Sequence, residues 1–145
     1  MSFNSRSSSN RRSEYRLFIS HSWEYSDEYN RMVELLRDYP NFSFRNYSVP
    51  KVDEIDADTE EELEQALRED QIKPATVVII LGGMYVAHSK WIKKETILAE
   101  IESKPILGVT PLGNEQMPNF VEDHADQIVG WQGKSVVEGI RDLAD

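Results

Sequence analysis

Apolar residues along this chain follow two alternating rhythms. Tyr15–Ser20 (YRLFIS) is a short apolar run closing on a polar residue, the mark of a buried strand. Tyr29, Met32, Val33 and Leu36 then recur at helical spacing, with Ser26 placed as N-cap, Asp27 and Glu28 favouring the positive helix start, and Pro40 closing the segment. Phe42–Asn46 alternates as a half-buried strand, and residues 47–58 make a polar loop. Thr59 and Glu62 have capping-box spacing ahead of a helix carrying Leu63, Ala66 and Leu67. Thr76–Leu81 (TVVIIL) is β-branched and apolar on both faces, which suits the middle of a parallel sheet. A helix over Trp91–Glu102, a strand at Pro105–Val109, a loop over 110–126 with one helical turn, a strand at Gln127–Trp131 and a helix carrying Val136, Val137, Ile140 and Leu143 complete the pattern.

Strands alternating with helices predict an α/β fold: a flavodoxin-like three-layer sandwich around a five-stranded parallel sheet of order 2-1-3-4-5. Such sheets bind ligands beyond the carboxyl ends of their strands. Those ends are Ser20-His21-Ser22-Trp23, Asn46-Tyr47-Ser48, Gly82-Gly83-Met84-Tyr85 and Thr110-Pro111. Gly82-Gly83 there allows close backbone approach to a ligand or simply a tight turn. Ser20-His21-Ser22 offers hydroxyls, an imidazole and turn amides, although helix capping explains Ser22 equally well.

One helix breaks its own pattern. On a helical wheel Trp91, Ile92, Ile97, Leu98, Ala99 and Ile101 form an apolar arc, with Lys93, Thr96 and Glu100 on the solvated side. Glu95 lies inside the arc, one turn after Trp91 and one turn before Leu98 and Ala99. A carboxylate there gives up water at a cost, which proteins tolerate at functional sites or where a partner compensates. A salt bridge or a backbone partner is the structural alternative. Glu102 shares the arc but ends the helix and can reach water, and Lys94 can snorkel from its edge.

Composition narrows the class. The 145 residues suit one domain: 1–13 read as a disordered Ser/Arg-rich tail and 14–145 as the folded unit. A transit peptide would share the tail's composition but needs an apolar face that this segment lacks. Net charge is −10, and since the tail holds Arg6, Arg11 and Arg12 and no acid, the folded unit carries −13. Such a surface repels nucleic acid and anionic lipid, so neither is an expected partner. The absence of cysteine rules out disulfides and thiolate metal sites. No apolar run is long enough for a membrane helix and no signal-peptide core follows Met1, so a cytoplasmic location is expected.

Other motifs fail on inspection. Gly133-Lys134-Ser135 resembles the end of a phosphate loop, but the position five residues earlier is Ile128 rather than glycine. His21, His88 and His124 lack ligand spacing, so no metal is expected. A phospho-acceptor receiver domain needs acids after the first and third strands, where this chain has Ser20-His21-Ser22 and Gly82-Gly83. No Thr-rich phosphate loop of the flavodoxin kind follows the first strand.

YRLFISHSW resembles the opening box of Toll/interleukin receptor (TIR) domains, and SKWIKKE (Ser89–Glu95) resembles the TIR enzyme motif S-x-W-C-x-x-E. RNYSVPK, VVIILGGMYVAHSKWI and QIVGW extend the resemblance, over about residues 14–144, to bacterial TIR-like proteins of Thoeris-type antiphage defence. The resemblance implies cleavage of NAD between nicotinamide and ribose, with Glu95 as the catalytic carboxylate and Trp91 as the motif tryptophan. Ser20, His21, Ser22, Asn46 and Gly83 join Trp91 as expected substrate-binding residues, and helix starts after the first and third strands could hold the pyrophosphate. NAD enters as substrate, with no cofactor. The product would be ADP-ribose or a cyclic or conjugated derivative, read by a separate effector protein. Ile92 replaces the motif cysteine, which is not the acid. Loop 47–58, which controls self-assembly in many TIR domains, is acidic here; that discourages head-to-tail stacking and leaves self-association open. Two other readings stand beside this one: a non-catalytic interaction module using loops 47–58 and 110–120, and a nucleoside ribosyl transferase of related fold.

Overall fold

The computed structural model describes residues 14–20, 27–48, 60–113 and 116–144. The tail 1–13, His21, Ser22, Trp23, the Ser26 cap, the Thr59 half of the capping box and residues 49–58 of the expected loop lie outside the described residues.

Five parallel strands form one sheet in the order β2-β1-β3-β4-β5. They are β1 (Glu14–Ile19), β2 (Ser43–Asn46), β3 (Val77–Leu81), β4 (Ile106–Val109) and β5 (Gln127–Val129). The helices are α1 (Asp27–Asp38), α2 (Glu60–Ala66), α3 (Tyr85–Ile101), α4 (Asn119–His124) and α5 (Gly133–Ala144). The expected α/β fold and strand order are those observed. β3 is buried at all five positions, and each apolar side chain it hides contributes about 1.5–3 kcal/mol, so the most hydrophobic segment takes the centre. The α1 residues Tyr29, Met32, Val33 and Leu36 are its buried face, as their spacing requires. α1 packs beside α5, and α3 packs against the segment that continues α2.

Several elements differ from the pattern reading. α3 begins at Tyr85 rather than Trp91, because residues 85–90 contain no Gly or Pro to stop a helix that the 3-10 turn Gly82–Met84 has already started. α2 continues as a π-helical stretch over Leu67–Ile72, in which the Lys73 N–H donates to the Arg68 carbonyl at 2.8 Å. The helical turn expected in the loop after β4 is present, as the six-residue helix α4. β5 stops at Val129, and the indole N–H of Trp131 donates to the Thr110 carbonyl at 2.6 Å instead of continuing the strand. Gly133 opens α5 against the ring of Tyr39, 2.9 Å from where a Cβ would stand.

Candidate functional site

Strand order reverses between β1 and β3: the first crossover leads from β1 outward to β2, and the next returns past β1 to β3. Ligands of doubly wound sheets bind at such a switch point. Here the crevice edge is fixed by side chains bonded to backbone. The Ser20 hydroxyl, fully buried, accepts the Leu81 N–H at 3.1 Å, while the Ser20 N–H donates to the Ile79 carbonyl at 2.8 Å. The buried Ser48 hydroxyl accepts the Ile19 N–H at 2.7 Å. Asn46 uses both ends of its amide: Oδ1 accepts the Ser48 N–H at 2.8 Å, and Nδ2 donates to the Tyr29 hydroxyl at 2.9 Å. Gln71, buried in the π-helical stretch, donates to the carbonyls of Tyr47 and Ser48 at 3.2 and 2.8 Å.

The glycine pair does permit close approach, but by the protein itself. A Cβ on Gly82 would stand 2.5 Å from the Met117 sulfur and 2.9 Å from the Val109 carbonyl oxygen. A Cβ on Gly83 would run into the Glu28 carboxylate. A side chain from the first turn of α1 therefore lies against the backbone beyond β3.

Glu95 is 2% exposed, in the middle of the buried stripe of α3 with Ile92, Leu98 and Ala99. Trp91, one turn before it, is half-buried, and the Lys94 ammonium lies 5.5 Å from the Trp91 ring centre. The rest of the wheel needs correcting. Thr96 is buried and Ile97 and Ile101 are 47% and 56% exposed, because the helix turns its Ile92 and Glu95 side, rather than Ile97 and Ile101, toward the sheet. Thr96 is accommodated by donating its hydroxyl to the Ile92 carbonyl at 2.7 Å. Glu95 and Glu28 both make polar contacts, although Oε1 of Glu95 and Oε2 of Glu28 are buried and take no hydrogen bond from the described residues.

Of the expected site residues, Ser20, Asn46 and Gly83 gather at the strand ends, while Glu95 does not join them there. α3 returns along the sheet between parallel strands, and Glu95 stands ten residues beyond its first residue, about 15 Å down its axis. Leu98, one turn further, lines a cavity of about 230 Å³ with Glu61, Gln65, Arg68 and Glu69. Arg68 pairs with Glu102 at the end of α3, and this hydrogen bond holds the Glu102 carboxyl below the usual carboxylate range. His21 and Ser22 lie outside the described residues. The pattern reading did not place Glu28 or Gln71 at the site, and it named Ser48 only as part of the strand end Asn46-Tyr47-Ser48. A hint of Glu28 was available, since it stands one turn before buried Met32. Among the described residues no group of His, Cys, Asp or Glu could hold a metal ion, and no helix is long and apolar enough to cross a membrane.

Comparison with known proteins supports the architecture and supplies a family. No curated protein matches the sequence at a significant level. Among solved structures, a 2-deoxyribosyltransferase from the psychrotolerant bacterium Bacillus psychrosaccharolyticus superposes with a TM-score of 0.55 at 14% identity, covering 79% of this chain and 85% of that one. At that identity the likeness is one of fold. The family model for the Thoeris protein ThsB, TIR-like domain, matches residues 18–116, a span that starts within the first strand and contains the glycine pair and Ser89–Glu95. That match takes in more than half of the sequence, and the chain therefore belongs to the Thoeris ThsB TIR-like family.

Proposed function

We propose that this protein cleaves the nicotinamide–ribose bond of NAD and releases an ADP-ribose-derived signal nucleotide in antiphage defence. The observation that carries this reading is Glu95: a carboxylate 2% exposed on a buried helical stripe, at the seventh position of a Ser89-x-Trp91-x-x-x-Glu95 spacing. The neighbours of this acid on the stripe, Ile92, Leu98 and Ala99, are apolar, and burial of a charge is costly unless it serves something.

The chemistry suits such a group. The C1′–N bond breaks heterolytically, its electron pair leaving with nicotinamide, which departs neutral because its ring nitrogen began as a cation. Little acid assistance is needed. The ribose is left with oxocarbenium character, as in glycoside hydrolysis. A fixed carboxylate beside it stabilises that developing charge, more strongly where water is excluded. Half-buried Trp91, one turn away on the same face, helps keep the site dry. Capture by water, with loss of a proton to solvent, gives ADP-ribose; capture by a nucleophile within the nucleotide gives a cyclic product.

Glu95→Gln tests the reading. The amide keeps the size of the side chain, so the melting temperature should hold or rise, while turnover of NAD should fall by about a hundred- to a thousandfold, equivalent to roughly 3–4 kcal/mol of transition-state stabilisation. Retained turnover with a lowered melting temperature would make Glu95 a structural partner only. A non-catalytic interaction module is the second reading, and one observation favours it. Ile97 and Ile101 stand a turn apart on the outer side of α3, 47% and 56% exposed, and form an apolar strip open to another protein.

A further inference from the structure

Glu28 shows the strongest unassigned chemistry in the molecule. It lies in the first turn of α1, which leaves the end of β1, and its carboxylate rests against Gly83, beyond the end of β3. β1 and β3 are the two strands at which the sheet order reverses. The carboxylate therefore stands at the switch point, where ligands of this architecture lie. The neighbouring residue, Tyr29, is tied through its hydroxyl to Asn46 at 2.9 Å, and Asn46 in turn holds the Ser48 N–H, so the helix start that carries Glu28 is anchored to β2. A Cβ at position 83 would meet the carboxylate where it now stands and push it aside.

We propose that Glu28 is a second carboxylate of the substrate crevice, a specificity-determining residue that binds hydroxyl or amide groups of the dinucleotide and keeps its phosphates away from Gly83. This rests on the NAD reading above. An ionised carboxylate only accepts hydrogen bonds, so a ligand beside it must present donors. Ribose hydroxyls and the nicotinamide amide do so. Pyrophosphate is anionic and acceptor-rich, and it is repelled. The start of the helix after β3, otherwise a natural phosphate seat, is thereby closed to the pyrophosphate, and the substrate is given a direction across the crevice. Glu95, about 15 Å down α3, lies at a distance that a dinucleotide can span. The two carboxylates then divide the work: Glu28 binds and orients, and Glu95 stabilises the charge that develops.

Steady-state NAD cleavage and calorimetric NAD binding by wild type, Glu28→Gln and Glu28→Asp test this. Glu28→Gln should raise KM and Kd for NAD by about tenfold and leave kcat within about twofold, the signature of lost uniform binding. Glu28→Asp, which keeps the charge, should recover part of the loss. Inorganic pyrophosphate should inhibit Glu28→Gln more strongly than wild type. An unchanged KM with a lowered melting temperature would make Glu28 a structural residue and overturn the inference while NAD cleavage stands. A lowered KM would overturn it too, by showing that the charge obstructs substrate. If wild type neither binds nor cleaves NAD, the substrate assignment and this inference fall together.

Discussion

At the carboxyl ends of β1, β2 and β3 the polar contacts run from side chains to backbone: Ser20 to the Leu81 N–H, Ser48 to the Ile19 N–H, and Gln71 to the carbonyls of Tyr47 and Ser48. At the other end of the sheet such bonds recur, with the Ile106 N–H donating to Asp126 Oδ2 at 2.8 Å, but they stand among side-chain pairs: Arg68 with Glu102, Lys73 with Glu69 at 3.4 Å, and His124 with Glu100 at 2.8 Å. The first set is largely buried, and each bond satisfies a backbone group that strand pairing leaves over. The second set stands partly or well in solvent, where water competes and two long side chains must be ordered for each contact. The difference teaches which end is built to hold a shape. A buried side chain bonded to backbone has one geometry, whereas an exposed ion pair has many of nearly equal energy. The rigid end is also the one with the switch point, the glycine pair and Glu28, where a binding crevice needs fixed walls.

Substitutions at the two ends should therefore differ in size. Ser48→Ala should have the largest effect on stability, about 1–3 kcal/mol by urea unfolding, because it strands the Ile19 N–H without an acceptor in the core. A loss as small as that of an exposed pair would break the comparison. Gly83→Ala should cost less, about 1 kcal/mol, since the colliding atoms are the tip of a flexible side chain that can swing aside. It should nevertheless raise KM for NAD as Glu28→Gln does, because the displaced carboxylate no longer faces the crevice. A Gly83→Ala protein with wild-type KM would detach the glycine from Glu28.

Glu102→Gln should be mildest at neutral pH and instructive on acidification. Its hydrogen bond to Arg68 lowers the folded-state pKa below the unfolded value, so the pair stabilises the protein above the ordinary carboxylate range. That contribution is lost as pH falls through the lowered value. Unfolding curves of wild type and Glu102→Gln should thus differ slightly at pH about 7 and converge well below pH about 4. A difference that persisted in acid would assign the residue's role to packing.

The pattern of apolar positions was enough for the sheet. Five strands, their parallel order and the central place of Val77–Leu81 follow from alternation and from a run that is apolar on both faces. It was enough, too, for the burial of Glu95, since an acid inside a helical stripe is visible at a period of 3.6 residues. The exact rotation of α3 was not legible. Thr96 and Ile97 have nearly opposite polarity from what their burial requires, and only the hydroxyl bond from Thr96 to Ile92, a contact within the folded helix, makes the observed rotation affordable.

Glu28 marks the boundary between what sequence and tertiary structure decide. Read along the chain, it is one of two acids in a first helical turn, where the helix dipole is reason enough for it. Its place beside Gly83 depends on 54 intervening residues folding so that β3 lies next to β1. Local periodicity sets which elements form and which face each buries, because those depend on neighbours within a few residues. Which side chain meets which across a crevice depends on strand order and on how closely glycine lets two backbones approach, and those are properties of the assembled sheet.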